Sequence, residues 1–254
     1  VKIVFTLNVI ENGDEFMLRF LKVIVWNLPR IYMIPKMAYK ARHKERYGEE
    51  ACYAYARLAI RRMMRAGRIY TKRFGAENLP QEGGYLLCPN HQGKYDALGI
   101  MISHDKPCSV VIDDAKSHGL LVKQFIDLVQ GKRLKKDDTR QSIGIIRELA
   151  EDTKMGRRFI IFPEGGYFHN HNTVGEFKPG CFKSAVKARV PIVPVALIDS
   201  YRVFEEWTLR RVETQVHFLK AIPYEEYKGM TTTQIAEMVK DRITSRISEV
   251  VSPA

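Results

Sequence analysis

A histidine and an aspartate of the types that form a general-base pair lie close together in the sequence, at His91 and Asp96. An imidazole that a carboxylate orients can take a proton from a hydroxyl group. On a regular helix five residues advance by about 500°, so the two side chains would point apart. They meet only if His91 lies in a loop and Asp96 begins a helix. That geometry would create a base suited to hydroxyl chemistry.

The surrounding residues favour this loop and helix. Residues 85–88 are typical of a short buried strand that Pro89 ends, Gly93 allows a turn, and residues 97–102 are typical of a helix. The pair would then lie at the C-terminal end of a strand, where open α/β sheets bind ligands. A histidine and an aspartate at this spacing also recur by chance, so a structural role is the alternative for this motif alone.

Two further apolar stretches carry residue types that are unusual in a strand. The first is followed by a glutamate and two glycines, and the second contains two prolines. Glu164, Gly165 and Gly166 come directly after the apolar residues 159–163, and glycine lets backbone N–H groups approach an anion closely. An ordinary turn between a strand and a loop is the alternative. Residues 190–197 predict a buried strand with two prolines, whose role we expect to be architectural.

The three stretches, in this order and spacing, resemble the 1-acylglycerol-3-phosphate acyltransferases of the glycerolipid acyltransferase family. The motif Asn-His, four variable residues and Asp corresponds to Asn90, His91 and Asp96. The motif Phe-Pro-Glu-Gly corresponds to residues 162–165, and Val-Pro-Ile-Val-Pro to residues 190–194. One such motif is weak evidence, whereas three in the family's order are specific. The resemblance extends over about residues 70–222.

The resemblance implies an enzyme that moves a fatty acyl group from a thioester to the free sn-2 hydroxyl of 1-acylglycerol 3-phosphate (lysophosphatidic acid), giving phosphatidic acid. His91 would be the base, and Asp96 would fix its tautomer and stabilise the imidazolium. Glu164 and Gly165 would shape the acceptor pocket. Acyl-coenzyme A or acyl-acyl carrier protein would serve as co-substrate, with no tightly bound cofactor and no metal. The alternatives are transfer to glycerol 3-phosphate or another lysophospholipid, and a non-catalytic membrane-associated protein.

The same resemblance suggests which cations would bind the acceptor phosphate. The family often continues its Glu-Gly motif with Thr-Arg-Ser, whereas residues 166–168 of this chain are Gly-Tyr-Phe. In the family's intervening motif, which usually ends in aspartate and arginine, Lys136 stands at the arginine position. Lysine binds phosphate as a point charge, without the two-pronged contact of arginine. Arg133 and Lys178, which matches a further basic position of the family, are the other candidates.

Composition indicates that the chain can form a full globular core and that its partners are anionic. The chain has 254 residues, 45% of them hydrophobic, which is enough for a full globular core. Its 41 Lys and Arg residues against 29 Asp and Glu residues give a formal charge of +12, so the partners should be anionic. Phosphorylated substrates and anionic lipid fit this charge. Nucleic acid is not expected, because the chain lacks a recognition motif and interleaved basic and aromatic residues.

Apolar periodicity predicts alternating strands and helices after residue 69. Such alternation indicates an α/β fold with a mostly parallel mixed sheet flanked by helices. Residues 214–219 alternate polar and apolar side chains and predict an edge strand with one exposed face. We predict two parts, a helical membrane-associating segment at residues 1–68 and an acyltransferase domain at residues 69–254.

The N-terminal part predicts a two-helix appendage that lies on an anionic membrane surface. A helix over residues 17–28 is apolar over most of its circumference, with Arg19 and Lys22 along a narrow basic edge. These cations interrupt the apolar stretch, so no spanning helix is expected. A basic cluster at residues 36–46 would attract anionic head groups, and a second helix around residues 49–66 would complete a hairpin. The alternative is a core-packed helix with a solvated charged successor.

The cysteines and the first residues predict the compartment. The four cysteines are scattered without a Cys-x-x-Cys pair, which favours reduced thiols. Residues 1–15 lack the long apolar run and the cleavage site of a signal peptide. We therefore expect the protein on the cytoplasmic face of a membrane, in a monotopic or peripheral arrangement.

Overall fold

The computed structural model describes residues 17–135 and 137–251. Its strands are β1 (Ile69–Phe74), β2 (Tyr85–Pro89), β3 (Ser109–Asp113), β4 (Lys132–Leu134), β5 (Arg158–Ile160), β6 (Ile192–Ile198) and β7 (Val212–Phe218). They form a seven-stranded sheet in the order β1-β7-β6-β2-β5-β3-β4. The run from β6 to β4 is parallel throughout, β7 is antiparallel to β6, and β1 is parallel to β7. The predicted α/β fold with a mostly parallel mixed sheet is confirmed.

Helices cover both faces of this sheet. They are α1 (Met17–Asn27), α2 (Met33–Arg42), α3 (Lys44–Gly67), α4 (Asp96–Ser103), α5 (Val122–Leu128), α6 (Thr139–Lys154), α7 (Lys183–Ala188), α8 (Arg202–Glu205), α9 (Tyr224–Tyr227) and α10 (Thr232–Val251). Leu86 and Cys88 of β2 share a core with α6, α7 and α10, whereas Tyr85 and Leu87 share one with α3, α4 and α5. Successive side chains of a strand point to opposite faces, so one apolar strand supplies both cores. With both faces filled, a site has to be built from the loops at the strand ends.

The prediction of an edge strand over residues 214–219 is wrong. In the structure β7 pairs with β6 on one side and with β1 on the other. The alternation itself is present, since Thr214 and Val216 are buried while Glu213 and Gln215 are half-buried. Such alternation shows which side-chain face is covered. It does not show how many backbone partners the strand has, and that number decides whether a strand is an edge.

Arg19 does not lie on a membrane-facing edge of α1, because it is buried and only 2% exposed. Its guanidinium donates hydrogen bonds to the carbonyl oxygens of Gly67 at 2.7 Å, Thr208 at 2.8 Å and Arg210 at 3.0 Å. Gly67 is the last residue of α3, and the final carbonyl groups of a helix have no partner within the helix. Arg19 therefore satisfies a helix end, and the prediction that it meets anionic lipid is wrong.

Three α-helices, α1, α2 and α3, precede β1 in the described residues. Pro35 lies in the first turn of α2, where proline is tolerated. Helix α3 packs into the core beneath the sheet through Cys52, Ala56 and Ile60. The division of the chain at residue 68 stays a prediction. Within residues 17–135 and 137–251, every helix is too short or too polar to span a bilayer.

Candidate active site

Three loops meet at one edge of the sheet. Strands β5, β2 and β6 are parallel neighbours, so the loops that follow them leave from the same edge. The buried Asn90 side chain joins the loop after β2 to strand β6, because its Oδ1 accepts the Leu197 N–H at 2.7 Å and its Nδ2 donates to the Leu197 carbonyl at 3.1 Å. This amide extends the pairing of β2 with β6 past the end of the strand. It thereby fixes the point at which His91 leaves the sheet.

His91 and Asp96 meet beyond the end of β2. His91 lies in the loop and Asp96 is the first residue of α4, which is the arrangement that their spacing requires. The distance between His91 Nδ1 and Asp96 Oδ2 is 2.7 Å. The His91 ring packs against Phe162, with 4.4 Å between ring centroids, and its side chain is 22% exposed. The imidazole is therefore held firmly and still reaches the surface.

The Asp96 carboxylate accepts four hydrogen bonds. Its Oδ2 accepts the backbone N–H groups of Gln92 at 2.5 Å and Gly93 at 2.9 Å in addition to the contact with His91. Its Oδ1 accepts the Ser200 hydroxyl at 2.5 Å. A carboxylate can only accept, so the Nδ1–H of His91 is the donor of their shared bond. The lone pair of the neutral imidazole then lies on Nε2, where it can take a proton.

Glu164 lies behind His91 and is buried. Its Oε1 accepts the His91 backbone N–H at 2.9 Å, and its Oε2 accepts from Asn170 Nδ2 at 3.3 Å. Burial raises the pKa of the Glu164 carboxyl, and the His91 N–H acts in the opposite direction. A methyl group at Gly175 would come 2.5 Å from Oε2, so the backbone closes directly over this carboxylate. Glu164 thus braces the loop that carries His91 and the loop that follows β5.

Gly165 and Lys178 lie side by side next to this brace. Gly165 has φ +70°, a conformation that glycine adopts without strain. A side chain at this position would come 2.8 Å from Lys178 Nζ, so the lysine passes directly over the glycine. The Lys178 backbone N–H donates to the Pro163 carbonyl at 2.8 Å. The structure therefore brings an exposed cation to the loop that carries Glu164.

The structure does not bring Arg133 to His91. Arg133 lies on β4, three strands from β2, which corresponds to about 14 Å at the usual strand spacing. Its guanidinium pairs with Asp127 Oδ1 at 2.6 Å and donates to Ser117 Oγ at 3.0 Å. Arg133 is therefore bound to side chains in and before α5. Lys136 lies outside the described residues.

Ser200 and Gln92 belong to the site and were not among the predicted residues. The Gln92 side chain accepts the Ser200 backbone N–H at 2.8 Å and donates to the His171 carbonyl at 2.8 Å and to Asn172 Oδ1 at 2.7 Å. It ties the loops after β2, β5 and β6 together. A signal for Ser200 was present in the sequence, since it follows the apolar run of β6 just as the other two motifs follow their strands.

Replacing Ser200 with alanine should lower kcat about 10-fold with little change in KM, because Asp96 keeps His91 but loses the bond that fixes its Oδ1. The free energy of unfolding should fall by about 2 kcal/mol, as expected for a buried hydrogen bond to a charged group. Steady-state kinetics and urea unfolding measure the two effects.

The matched control is Ser184→Ala on α7. Ser184 is as buried as Ser200, and its hydroxyl has no hydrogen-bond partner among the described residues. Ser184→Ala should change neither kcat nor the free energy of unfolding. Equal losses in the two variants, or a change in KM alone for Ser200→Ala, would contradict a positioning role for Ser200.

The fold and the site define an α/β protein with a histidine held by an aspartate at the C-terminal edge of its parallel strands. Residues 72–198, half of the chain, match the sequence profile of the family described as acyltransferase. The chain belongs to this acyltransferase family, as its three motifs predicted.

Curated relatives carry a more specific name. The 1-acyl-sn-glycerol-3-phosphate acyltransferase alpha of Ovis aries is 30% identical over 185 residues, which cover 69% of this chain and 62% of the relative. The 1-acyl-sn-glycerol-3-phosphate acyltransferase of Saccharomyces cerevisiae is 26% identical over 190 residues, with 71% and 61% covered. The matched region thus spans about three fifths of the length of these relatives.

A solved structure has the same fold. The crystal structure of the 1-acyl-sn-glycerophosphate (LPA) acyltransferase PlsC from Thermotoga maritima matches with a TM-score of 0.69 at 17% identity. The match covers 92% of this chain and 97% of that one. At this identity the likeness concerns the fold.

Proposed function

We propose that the protein moves a fatty acyl group from a thioester to the free sn-2 hydroxyl of 1-acylglycerol 3-phosphate and so makes phosphatidic acid. The observation that carries the proposal is the contact of 2.7 Å between His91 and Asp96 at the C-terminal edge of the sheet. The names of the curated relatives support the choice of acceptor.

In the proposed reaction His91 Nε2 takes the proton of the acceptor hydroxyl as its oxygen attacks the thioester carbonyl. Asp96 holds the tautomer and stabilises the imidazolium that forms. When the tetrahedral intermediate collapses, the C–S bond breaks and the imidazolium gives its proton to the departing thiolate. The new ester and a free thiol are the products. No acyl-enzyme is required, because the substrate supplies the nucleophile.

The acceptor phosphate would be neutralised by Lys178, together with Lys136. The position of the Lys178 ammonium over Gly165 supports this role. Arg133 is the weaker candidate, since Asp127 already neutralises its charge. The Glu164 carboxylate supports the site from behind, while Gly165 leaves room for the lysine.

Replacing Lys178 with alanine should raise the KM for the phosphate-bearing acceptor about 10-fold and leave the KM for the acyl donor nearly unchanged. Lys178→Arg should recover part of the loss, because it keeps the charge. Initial rates over a range of each substrate measure both constants. Lys187→Ala removes an exposed lysine of α7 and is the matched control. An equal rise in both KM values would assign the acceptor phosphate to another cation.

We also propose that the protein works at an anionic membrane surface on the cytoplasmic side, bound peripherally or monotopically. Its acceptor is an amphiphile that resides in a bilayer. Exposed apolar side chains of α1 and the turn after it support the proposal, and they are Leu21, Val25, Trp26, Leu28, Ile31 and Tyr32. A helix surface of this kind binds in the interface of a bilayer.

A thiol-release assay with a panel of donors and acceptors tests the proposed function. Acyl-coenzyme A and acyl-acyl carrier protein are each combined with 1-acylglycerol 3-phosphate, glycerol 3-phosphate and a lysophospholipid without a terminal phosphate. Release that depends on 1-acylglycerol 3-phosphate is the expected result. Preference for another acceptor would replace the proposed one, and no release with any pair would indicate a non-catalytic protein.

A further inference from the structure

We infer that a second element, the turn between β3 and α5, inserts into the anionic bilayer beside the N-terminal helices. The inference rests on the proposed membrane-bound function and adds to it a site of insertion. Gly119, Leu120, Leu121 and Val122 are called the β3–α5 tip here. Leu120 is 58% exposed, Leu121 50% and Val122 38%. Consecutive exposed aliphatic side chains of this kind mark an interaction surface.

The backbone of the β3–α5 tip is fixed. The Leu121 N–H donates to Gln124 Oε1 at 2.7 Å, and the Lys123 N–H donates to the Gly119 carbonyl at 2.9 Å. Leu121 has φ +75°, a strained conformation for a residue with a side chain. The hydrogen-bonded turn therefore holds the leucines away from the core, where aliphatic side chains would otherwise be buried.

The β3–α5 tip lies at the same edge of the sheet as the candidate site. Strand β3 is parallel to β5, and β5 is parallel to β2. The loop after β3 therefore leaves the sheet in the same direction as the loop that carries His91. A bilayer that receives this tip would face the edge at which the amphiphilic acceptor has to arrive.

The β3–α5 tip also leads into a helix that packs against the N-terminal helices. Helices α2 and α5 pack against each other, and the residues at their C-terminal ends, Ala41 and Asp127, line one groove. The C-terminal ends of the two helices therefore lie close together, which favours a parallel arrangement. Exposed Ile31 and Tyr32 come directly before α2. Exposed Leu120 and Leu121 likewise come directly before α5. The starts of these two packed helices therefore both carry exposed apolar side chains.

Charge and residue types favour a bilayer over a protein partner. Lys116 and Lys123 stand on either side of the tip and are exposed, and flanking cations attract anionic head groups. The tip itself is aliphatic. Protein interfaces take most of their binding energy from Trp, Tyr and Arg, and Leu and Val are under-represented among those residues.

The double variant Leu120→Asp, Leu121→Asp tests the inference by sedimentation with vesicles of phosphatidylcholine and phosphatidylglycerol. Loss of two inserted leucines should lower the partition constant about 100-fold. The variant should fold, because aspartate tolerates positive φ and is a favoured residue directly before a helix. Met155→Asp is the matched control, since Met155 is 75% exposed and precedes β5 at the opposite edge of the sheet. An unchanged partition constant in the double variant, or an equal loss in the control, would overturn the inference.

Turnover separates this inference from the proposed function. On a short-chain lysophosphatidic acid dissolved as monomers, the double variant should match the unaltered protein, while on acceptor embedded in vesicles it should be slower. If the unaltered protein turns over neither substrate, the proposed function fails, and the partition experiment still decides the role of the tip. Unchanged vesicle binding with a loss confined to transfer from acyl-acyl carrier protein would assign the surface to a protein and overturn the inference.

A probe on the tip gives a measurement that does not depend on loss of binding. Leu120→Cys labelled with a nitrobenzoxadiazole dye should shift its emission to the blue when vesicles are added, because the dye enters an apolar environment. Met155→Cys labelled in the same way should show no shift. Equal behaviour of the two labels would contradict insertion of the tip.

Discussion

Replacing His91 with alanine is expected to lower kcat for acyl transfer by about 10³-fold or more while the protein stays folded. A positioned general base contributes about 10²- to 10⁴-fold to such a reaction. The neighbouring groups, Asp96 included, would remain in place, because the carboxylate keeps its hydrogen bonds from Gln92, Gly93 and Ser200. Thiol release with dissolved acceptor measures the loss, and urea unfolding checks that the free energy of unfolding changes by no more than about 1 kcal/mol.

The chain offers a matched control in a second histidine and aspartate pair. His118 Nε2 lies 3.1 Å from Asp114 Oδ1, and the His118 side chain is mostly exposed. His118→Ala should leave kcat with dissolved acceptor unchanged. A folded His91→Ala protein with near-normal turnover would show that His91 is not the base.

Replacing Asp96 with asparagine is expected to lower kcat by about 10²- to 10³-fold. The two backbone N–H groups and the His91 Nδ1–H all converge on the Oδ2 position. An amide NH₂ cannot take that position, so the amide oxygen should occupy it and the NH₂ should turn toward Ser200. The tautomer of His91 is then preserved, and what is lost is the negative charge that stabilises the imidazolium.

The Asp96→Asn variant should also lose about 1–3 kcal/mol of folding free energy, because charged hydrogen bonds become neutral ones in a buried site. Asp114→Asn changes the pair of His118 and Asp114 at the surface. It should measurably change neither kcat nor the free energy of unfolding. A loss of activity could come from the missing negative charge or from a changed tautomer of His91, and histidine NMR distinguishes these two causes. If the proton of His91 moves from Nδ1 to Nε2 in the variant, the amide has the opposite orientation and the argument from the three N–H donors is wrong.

The local part of the site could be predicted from the sequence. Pro89 ends a short apolar strand, Gly93 permits the turn, and α4 begins at Asp96, all of which depend on residues close in the chain. The rule that loops after parallel strands share an edge then brings the Glu164 loop next to the His91 loop. These steps need only periodicity, turn chemistry and the direction of the strands.

Contacts between distant segments could not be predicted. Ser200 bonds to Asp96 across 104 residues of sequence, and Arg19 reaches Thr208 across 189 residues. The sequence does not distinguish Arg133 from the other candidate phosphate ligands. The structure shows that Arg133 lies on β4, at the end of the sheet, and that it pairs with Asp127. Side-chain type indicates what a residue can bind, and it does not indicate which partner comes within reach.

The sequence by itself therefore determined the family, the α/β class and the pairing of His91 with Asp96, because each depends on motifs or on residues near one another in the chain. The tertiary structure alone decided the strand order, the burial of Arg19, the contact of Ser200 with Asp96 and the exposure of the β3–α5 tip. Those features depend on how the two cores pack on the central sheet. The free energy of that packing is summed over contacts between remote segments, which no local pattern contains.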